Sequence, residues 1–262
     1  MMNPTLVEKA KQDLRALRLR DMAEALDTAL EAAEKQRVGY LAFFAQLVEK
    51  QLQARQARSV QRRIEKANFP RNMTFENYDW GFQPGLNVEY VKDLAQLGFV
   101  EKRQPLIIIG KTGTGKTHLA TAFGIRACQV GCRVQFYKLQ QLLAKLYATL
   151  ADDTTFDVIA QLARLDLIII DAVGHIRSRP EYPSLLFDLV SACQDRTSLI
   201  VTSSISFEDL GEALGNASIT RAIVDRLFHQ ACLINIRPGK SYRTQGPNAP
   251  KLPSSKAPAS QT

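Results

Sequence analysis

The chain has 262 residues, of which 45% are hydrophobic and 23% charged, as expected for a globular protein with one main domain and an appendage. Its apolar runs are far shorter than the roughly 20 residues that a membrane helix needs, and the N-terminus has no signal-peptide core, so we expect a cytoplasmic protein that does not bind membranes. The cysteines lack metal-ligand spacing, which predicts buried free thiols at Cys128, Cys132, Cys193 and Cys232.

The formal net charge of +8 is concentrated in two segments. Residues 50–71 contain seven Lys/Arg and one acidic residue, and residues 237–262 contain five Lys/Arg and no acidic residue. Such local basicity favours a polyanionic partner, and double-stranded DNA is the partner that we expect. A solvated helix face followed by a solubilising tail is the alternative explanation.

Residues 4–67 have the apolar spacing of helices, with Leu6, Ala10 and Leu14 in the first part and a second helix after Gly39. We therefore predict a helical N-terminal domain over residues 1–67, for assembly and DNA binding. The polar side of its last helix carries the candidate DNA contacts Arg55, Arg58, Arg62, Arg63 and Lys66. The sequence "NFPRN" then breaks the pattern and predicts a linker over residues 68–75.

Apolar strand-like runs alternate with helix-length amphipathic segments in the rest of the chain, which predicts an α/β domain over residues 76–243 with a parallel sheet and right-handed crossovers. The predicted strands are residues 106–109, 133–137, 167–170, 199–202 and 232–236. Residues 244–262 are rich in Pro, Ser and Lys and predict a disordered basic tail.

The sequence "GKTGTGKT" at residues 110–117 matches the phosphate-binding pattern G-x-x-x-x-G-K-[ST], between a predicted strand and a predicted helix. The glycines let the loop approach phosphates closely, Lys116 is expected to bridge the β- and γ-phosphates, and Thr117 is expected to bind Mg²⁺. The predicted ATP-binding residues are Gly110, Lys111, Thr112, Gly113, Thr114, Gly115, Lys116, Thr117 and His118.

The apolar run "LIII" ends in a single carboxylate, Asp171, which we predict to be the Mg²⁺-associated acid together with Thr117. In ATP-hydrolysing machines the next position usually carries a second carboxylate, but here it is Ala172, which cannot accept a proton or polarise water. His175 and Asp166 are nearby alternatives, and neither is clearly placed to act. The pattern therefore predicts ATP binding with impaired turnover.

The sequences "GKTGTGKTHLA", "LIIID", "FPRNMTFENYDW" and "KSYR" resemble the IstB family, the AAA+ helper ATPases of bacterial insertion-sequence transposition, which are relatives of the DnaC-type helicase loaders. The resemblance extends over about residues 6–243. It implies an AAA+ P-loop fold without a C-terminal helical lid, and ATP and Mg²⁺ as cofactors. It also implies a homo-oligomer that assembles on double-stranded DNA and recruits or activates a transposase.

The resemblance also implies individual roles. Ser204 would be the polar sensor facing the γ-phosphate, where the family usually has asparagine. Arg226 would be an arginine finger inserted into the neighbouring subunit, with Arg221 as the alternative. Because AAA+ relatives often contact DNA through the loop after the acid, Arg177 and Arg179 are further candidates. Two alternative origins would explain Ala172: natural degeneration of the site, or a deliberate substitution that traps bound ATP.

The sequence is also consistent with three other functions. A DnaC-type loader would grip a replicative helicase with its N-terminal helices. A small-molecule P-loop kinase would need an acceptor site, and none is recognisable in the sequence. A binding scaffold without catalysis would be consistent with Ala172.

Overall fold

A computed structural model describes residues 4–173, 179–205, 215–236 and 239–242. His175, Arg177 and the predicted tail over residues 244–262 lie outside these ranges. The chain divides into two compact units, residues 1–62 and residues 63–262. In the described ranges, no helix is both long enough and apolar enough to cross a membrane.

The first unit is helical, as predicted. It contains α1 (Pro4–Ala16), α2 (Arg20–Gln36) and the part of α3 (Tyr40–Lys66) that ends at Arg62. Its core is formed by Met22, Leu26, Ala29 and Leu47. The chain turns between α1 and α2 at Arg18, which has a left-handed φ of 61°. The periodicity did not predict this turn because the apolar spacing continues across it.

The start of α2 is held by side chains of α3. The Gln51 amide oxygen accepts hydrogen bonds from the backbone N–H groups of Asp21 and Met22, at 3.1 and 3.3 Å. Arg58 donates two parallel hydrogen bonds of 2.6 Å to the Asp21 carboxylate. These bonds from Arg58 hold the pKa of Asp21 at about 2, below its usual value of 3.8. The Arg58 charge is thus compensated within the first unit.

The second unit contains the predicted parallel sheet. Its five strands lie in the order β2-β3-β4-β1-β5, and all four neighbouring pairs are parallel. The strands are β1 (Leu106–Gly110), β2 (Val134–Lys138), β3 (Leu167–Val173), β4 (Ser198–Ser203) and β5 (Cys232–Ile236). The prediction of an α/β fold with a central parallel sheet is confirmed.

Helices cover both faces of this sheet. Alternate strand residues face opposite ways: Ile108 and Ile169 pack in one apolar cluster with Phe123, whereas Ile107 and Ile168 pack in the other. Burial on both faces explains why the strands read as unbroken apolar runs. The helices are α4 (Val88–Leu94), α5 (Gly98–Glu101), α6 (Lys116–Gln129), α7 (Leu139–Ala148), α8 (Thr155–Leu162), α9 (Tyr182–Cys193) and α10 (Ala217–Phe228). Among the residues described after β5 there is no helical lid.

Candidate nucleotide-binding site

The predicted phosphate-binding loop joins the end of β1 to the start of α6. Gly113 and Gly115 have left-handed φ angles of 83° and 95°, which side chains rarely adopt. A Cβ atom at Gly115 would lie 3.0 Å from the Tyr78 hydroxyl, and one at Gly113 would collide with the Ser241 side chain. The loop therefore needs glycine at both positions, for its conformation and for its neighbours.

Lys116, the first residue of α6, is buried and folds back across the loop. Its Nζ atom donates hydrogen bonds to the carbonyl oxygens of Gly110 and Lys111, at 2.7 and 2.9 Å. The ammonium group thus lies beside the loop, close to the N-terminus of α6, whose N–H groups carry partial positive charge. This combination is suited to binding phosphate.

Asp171 lies within β3 near its carboxyl end and is only 5% exposed. Its Oδ1 atom accepts hydrogen bonds from the hydroxyls of Thr117, at 2.8 Å, and Thr202, at 2.6 Å. The structure thus brings together the two predicted Mg²⁺ ligands, which lie 54 positions apart in the sequence. Hydroxyl and carboxylate oxygens are the donors that Mg²⁺ prefers, so these residues fit that ion.

Thr202 is a site residue that the sequence analysis missed. It lies in β4, next to β3 in the sheet, and accepts a hydrogen bond of 3.0 Å from the Ala172 N–H group in addition to its bond with Asp171. A threonine within the apolar run "LIVTS" was the available signal, because a buried strand rarely carries a hydroxyl without a partner.

Ala172 follows Asp171 at an irregularity in the pairing of β3 with β4. Its φ is 62°, a left-handed conformation that costs an ordinary residue about 1–2 kcal/mol. Its side chain is exposed and borders the same cleft as Lys116 and Asp171. Asp166, considered above as a substitute acid, instead precedes β3 and accepts hydrogen bonds from Arg133, at 2.8 and 3.2 Å.

A cleft of about 980 Å³ opens beside the loop. It is bordered by loop residues 112–118, by Asp171, Ala172 and Ser204, and by residues of the segment 70–83. Ser204 therefore lies in the same cleft as the loop. The predicted linker also forms part of the cleft wall, where the His118 ring donates a hydrogen bond of 2.8 Å from Nε2 to the Thr74 carbonyl.

The described segment after β5, residues 239–242, packs against the loop. The buried Gln83 side chain donates hydrogen bonds to the carbonyls of Thr114, at 3.2 Å, and Lys240, at 2.7 Å. The Tyr242 N–H group donates a hydrogen bond of 2.9 Å to the Gly113 carbonyl. These contacts could not be predicted from the sequence, since Gln83 and Lys240 are 157 positions apart.

Arg226 lies away from this cleft. Its guanidinium carbon is 4.3 Å from the centre of the Phe187 ring, and Nη1 donates a hydrogen bond of 3.3 Å to the Ala222 carbonyl. It lines a cavity together with Pro105 and Thr197, which precede β1 and β4, so it lies near the opposite edge of the sheet from the loop. Arg221, the alternative finger, is exposed on α10.

The candidate DNA contacts differ in exposure. Arg55, Arg62 and Lys66 are exposed, and Arg63 is half-buried. Arg58 forms the salt bridge with Asp21 that is described above. Arg179 is exposed and stacks over the Tyr147 ring, with 4.6 Å between the guanidinium carbon and the ring centre.

Residues 12–249 match the family described as IstB-like ATP binding protein. The chain belongs to this family. It is 34% identical, over 88% of its length and 86% of the relative's, to the insertion sequence IS21 putative ATP-binding protein of Pseudomonas aeruginosa. It is 27% identical to the insertion sequence IS232 putative ATP-binding protein of Bacillus thuringiensis subsp. berliner, over 88% of this chain and 92% of that one. Family membership implies nucleotide binding and, for the family as a whole, ATP hydrolysis.

Solved structures agree with an AAA+ fold. DnaI superimposes with a TM-score of 0.53 at 17% identity, over 63% of this chain and 90% of DnaI. AMPPCP-bound DnaA from Aquifex aeolicus superimposes with a TM-score of 0.53 at 22% identity, over 67% of this chain and 53% of DnaA. These similarities support the fold prediction made from the sequence.

Proposed function

We propose that this IstB-family protein is an ATP-dependent DNA-binding helper of transposition, which self-assembles on double-stranded DNA and recruits or activates a transposase. The observation that carries the proposal is the meeting of Thr117 with Asp171 beside a complete phosphate-binding loop. The relatives are named as ATP-binding proteins of insertion sequences, which supports the link to transposition.

The loop and the first turn of α6 would bind ATP through backbone N–H groups, and the Lys116 ammonium would reach the β- and γ-phosphates. Thr117 and Asp171 would hold Mg²⁺, which, when bound, neutralises phosphate charge. Ser204 would face the γ-phosphate from the wall of the cleft. Lys116 and Thr117 begin α6, whereas Asp171 and Ser204 lie at the carboxyl ends of β3 and β4. These side chains therefore meet at one edge of the sheet.

Hydrolysis in this chain is expected to be slow. A general base or a water-orienting residue contributes about 10²–10⁴-fold to a reaction, and Ala172 supplies neither function. The hydroxyls of Thr202 and Ser204 are neutral and do not replace a carboxylate. We therefore propose that bound ATP persists and maintains an assembled, DNA-bound state.

Arg226 is proposed to act on a neighbouring subunit. Its location near the opposite edge of the sheet from the loop supports action in trans, because an arginine there is remote from its own cleft. Arg221 is the alternative, since it is exposed on the same helix. Self-assembly is also supported by apolar side chains at the start of α3, where Tyr40 is 96% and Leu41 82% exposed.

DNA binding is proposed to use the exposed cations of α3, with Arg179 and Arg177 as a second set. Asp21 compensates the charge of Arg58 but not the charges of Arg55, Arg62 and Lys66. Arg62 also donates a hydrogen bond to the Arg58 carbonyl. Cations of this kind bind DNA phosphates without sequence preference. We place this activity in the cytoplasm, where ATP and chromosomal DNA are both available in bacteria.

Imaging the protein with ATP and plasmid-length DNA would test assembly directly, and co-purification would identify the partner. We expect ATP-dependent oligomers on DNA that retain the transposase encoded by the same type of element. Capture of a replicative helicase without transposase would instead support a DnaC-type loader. A protein that stays monomeric and off the DNA with ATP bound would contradict the proposal.

A further inference from the structure

The hydroxyl of Tyr78 is buried without a hydrogen-bond partner among the described residues. Tyr78 is only 7% exposed, and burial raises the pKa of its hydroxyl to about 12, so the group stays protonated near neutral pH. Buried hydroxyls in folded proteins are nearly always paired. A protonated hydroxyl that no described residue pairs with is suited to donate to a ligand.

Tyr78 belongs to the segment before α4, but in space it lies beside Gly115, where the nucleotide loop becomes helix α6. It also borders the cleft. Its ring packs edge-on against His118, with 5.1 Å between the ring centres. Its hydroxyl is the nearest group to a Cβ atom placed on Gly115, at 3.0 Å. The Trp80 ring also packs edge-on against Tyr78, with ring centres 4.9 Å apart, so the tyrosine ring is held by aromatic contacts.

We propose that the Tyr78 hydroxyl donates a hydrogen bond to an oxygen of the bound nucleotide, on its α-phosphate or the adjoining ribose. The inference rests on the nucleotide site proposed above. The part of the nucleotide follows from position: backbone N–H groups of such a loop bind the α- and β-phosphates, whereas the lysine reaches the β- and γ-phosphates. Tyr78 lies beside Gly115, at the end of the loop, and His118, in the first turn of α6 after Lys116. We therefore expect it near the portion of the nucleotide that ATP and ADP share.

The test is Tyr78→Phe in the full chain, with ATP and ADP affinities measured by calorimetry and by the fluorescence of Trp80, the chain's one tryptophan. Loss of this hydrogen bond should weaken ATP and ADP binding equally, by about tenfold or more if the acceptor is the charged phosphate and by about 2- to 10-fold if it is the ribose. The melting temperature without nucleotide should stay the same or rise, because the hydroxyl has no partner to lose among the described residues. The rise in melting temperature that saturating ATP causes should shrink.

Thr121→Val is the matched control. The Thr121 hydroxyl is also buried without a partner among the described residues, but it does not border the cleft. Its removal should leave both affinities unchanged. Repeating the Tyr78→Phe comparison with 2′-deoxyATP and 3′-deoxyATP then tests the ribose hydroxyls: a loss that disappears with one analogue places the acceptor on the hydroxyl that this analogue lacks. A loss that persists with both leaves the α-phosphate or a ribose ether oxygen as the acceptor.

Several results would overturn the inference. One is unchanged nucleotide affinity in Tyr78→Phe, and another is a loss confined to ATP, which would move the contact to the γ-phosphate. A lower melting temperature without nucleotide would indicate a structural role instead. If the unmodified chain binds neither ATP nor ADP, the proposed nucleotide site itself fails, and this outcome is distinct from the others.

Discussion

Thr202 connects the predicted metal-binding carboxylate to the backbone of the residue that follows it. Its hydroxyl donates a 2.6 Å hydrogen bond to Asp171 Oδ1 and accepts a 3.0 Å bond from the Ala172 N–H group. One side chain on β4 therefore orients Asp171 and supports the left-handed turn at Ala172.

Thr202→Val should destabilise the protein and weaken Mg²⁺-dependent nucleotide binding. The substitution keeps the shape but removes the hydroxyl, which leaves the Ala172 N–H group without this partner and costs about 1–3 kcal/mol. Chemical denaturation would measure the stability, and ATP titration with Mg²⁺ or with EDTA would measure the effect on the site. An unchanged unfolding free energy would contradict the assigned role of Thr202. Thr202→Ser should largely restore both properties.

Lys116→Ala should lower ATP affinity by tenfold or more, because charge-assisted hydrogen bonds typically contribute about 1.5–3 kcal/mol. The variant also loses two hydrogen bonds to the loop, so its melting temperature has to be measured beside its ATP affinity. Lys92→Ala is the control, since that lysine lies exposed on α4. Equal ATP affinity in all three proteins would disprove the assignment of the site.

Neutralising Arg55, Arg62 and Lys66 to glutamine should weaken binding to every DNA sequence alike. Each lost phosphate contact reduces the magnitude of the negative slope of log K against log[salt] by about 0.9, so this magnitude should fall by up to about 2.7 in the triple variant. Arg58→Gln is a control on the same helix that should change the slope little, because Arg58 is paired with Asp21. If the triple variant keeps the original slope, the contact lies elsewhere, with Arg179 as the first alternative.

Stability should depend on Asp21 under acid conditions. Since its pKa is about 2 in the folded state, below the usual value of 3.8 that applies in an unfolded chain, its ionised form favours folding above about pH 4, and this contribution is lost as the pH falls towards 2. Asp21→Asn should therefore reduce stability at pH 6 and flatten the decline between pH 4 and 2. Thermal unfolding across this range would measure it, and an unaltered profile would exclude the paired state in solution.

Ala172→Glu should raise ATP hydrolysis at least tenfold by restoring a group that can position or deprotonate water. Glutamate can adopt the same backbone conformation at no greater cost than alanine. Arg226→Ala in that background should remove the gain and leave ATP binding intact, if the finger acts on a neighbouring subunit. Phosphate release with and without DNA is the measurement.

Ala172→Gly separates backbone strain from chemistry. Glycine adopts the left-handed conformation readily, so this variant should be at least as stable as the parent and should not hydrolyse ATP faster. If the parent already hydrolyses ATP as fast as Ala172→Glu, another group positions the water. His175 is then the first residue to examine.

The sequence by itself determined the fold class, the strands and the nucleotide loop. Each depends on a local pattern: apolar runs of strand length, helical spacing, and glycines at fixed intervals before Lys116. Even the pairing of Thr117 with Asp171 could be predicted, because the carboxyl ends of parallel strands meet at one edge of the sheet. The break between α1 and α2 was missed because apolar spacing continued through it.

Only the tertiary structure decided which side chains surround the loop and which charges are compensated. Thr202 joins Asp171 across 31 positions, Arg58 reaches Asp21 across 37, and Gln83 reaches Lys240 across 157. Such contacts leave no periodic signal, because they depend on the packing of elements distant in the chain rather than on the conformational preferences of neighbouring residues. For the same physical reason, the burial of the Tyr78 hydroxyl beside Gly115 became visible only once the chain was folded.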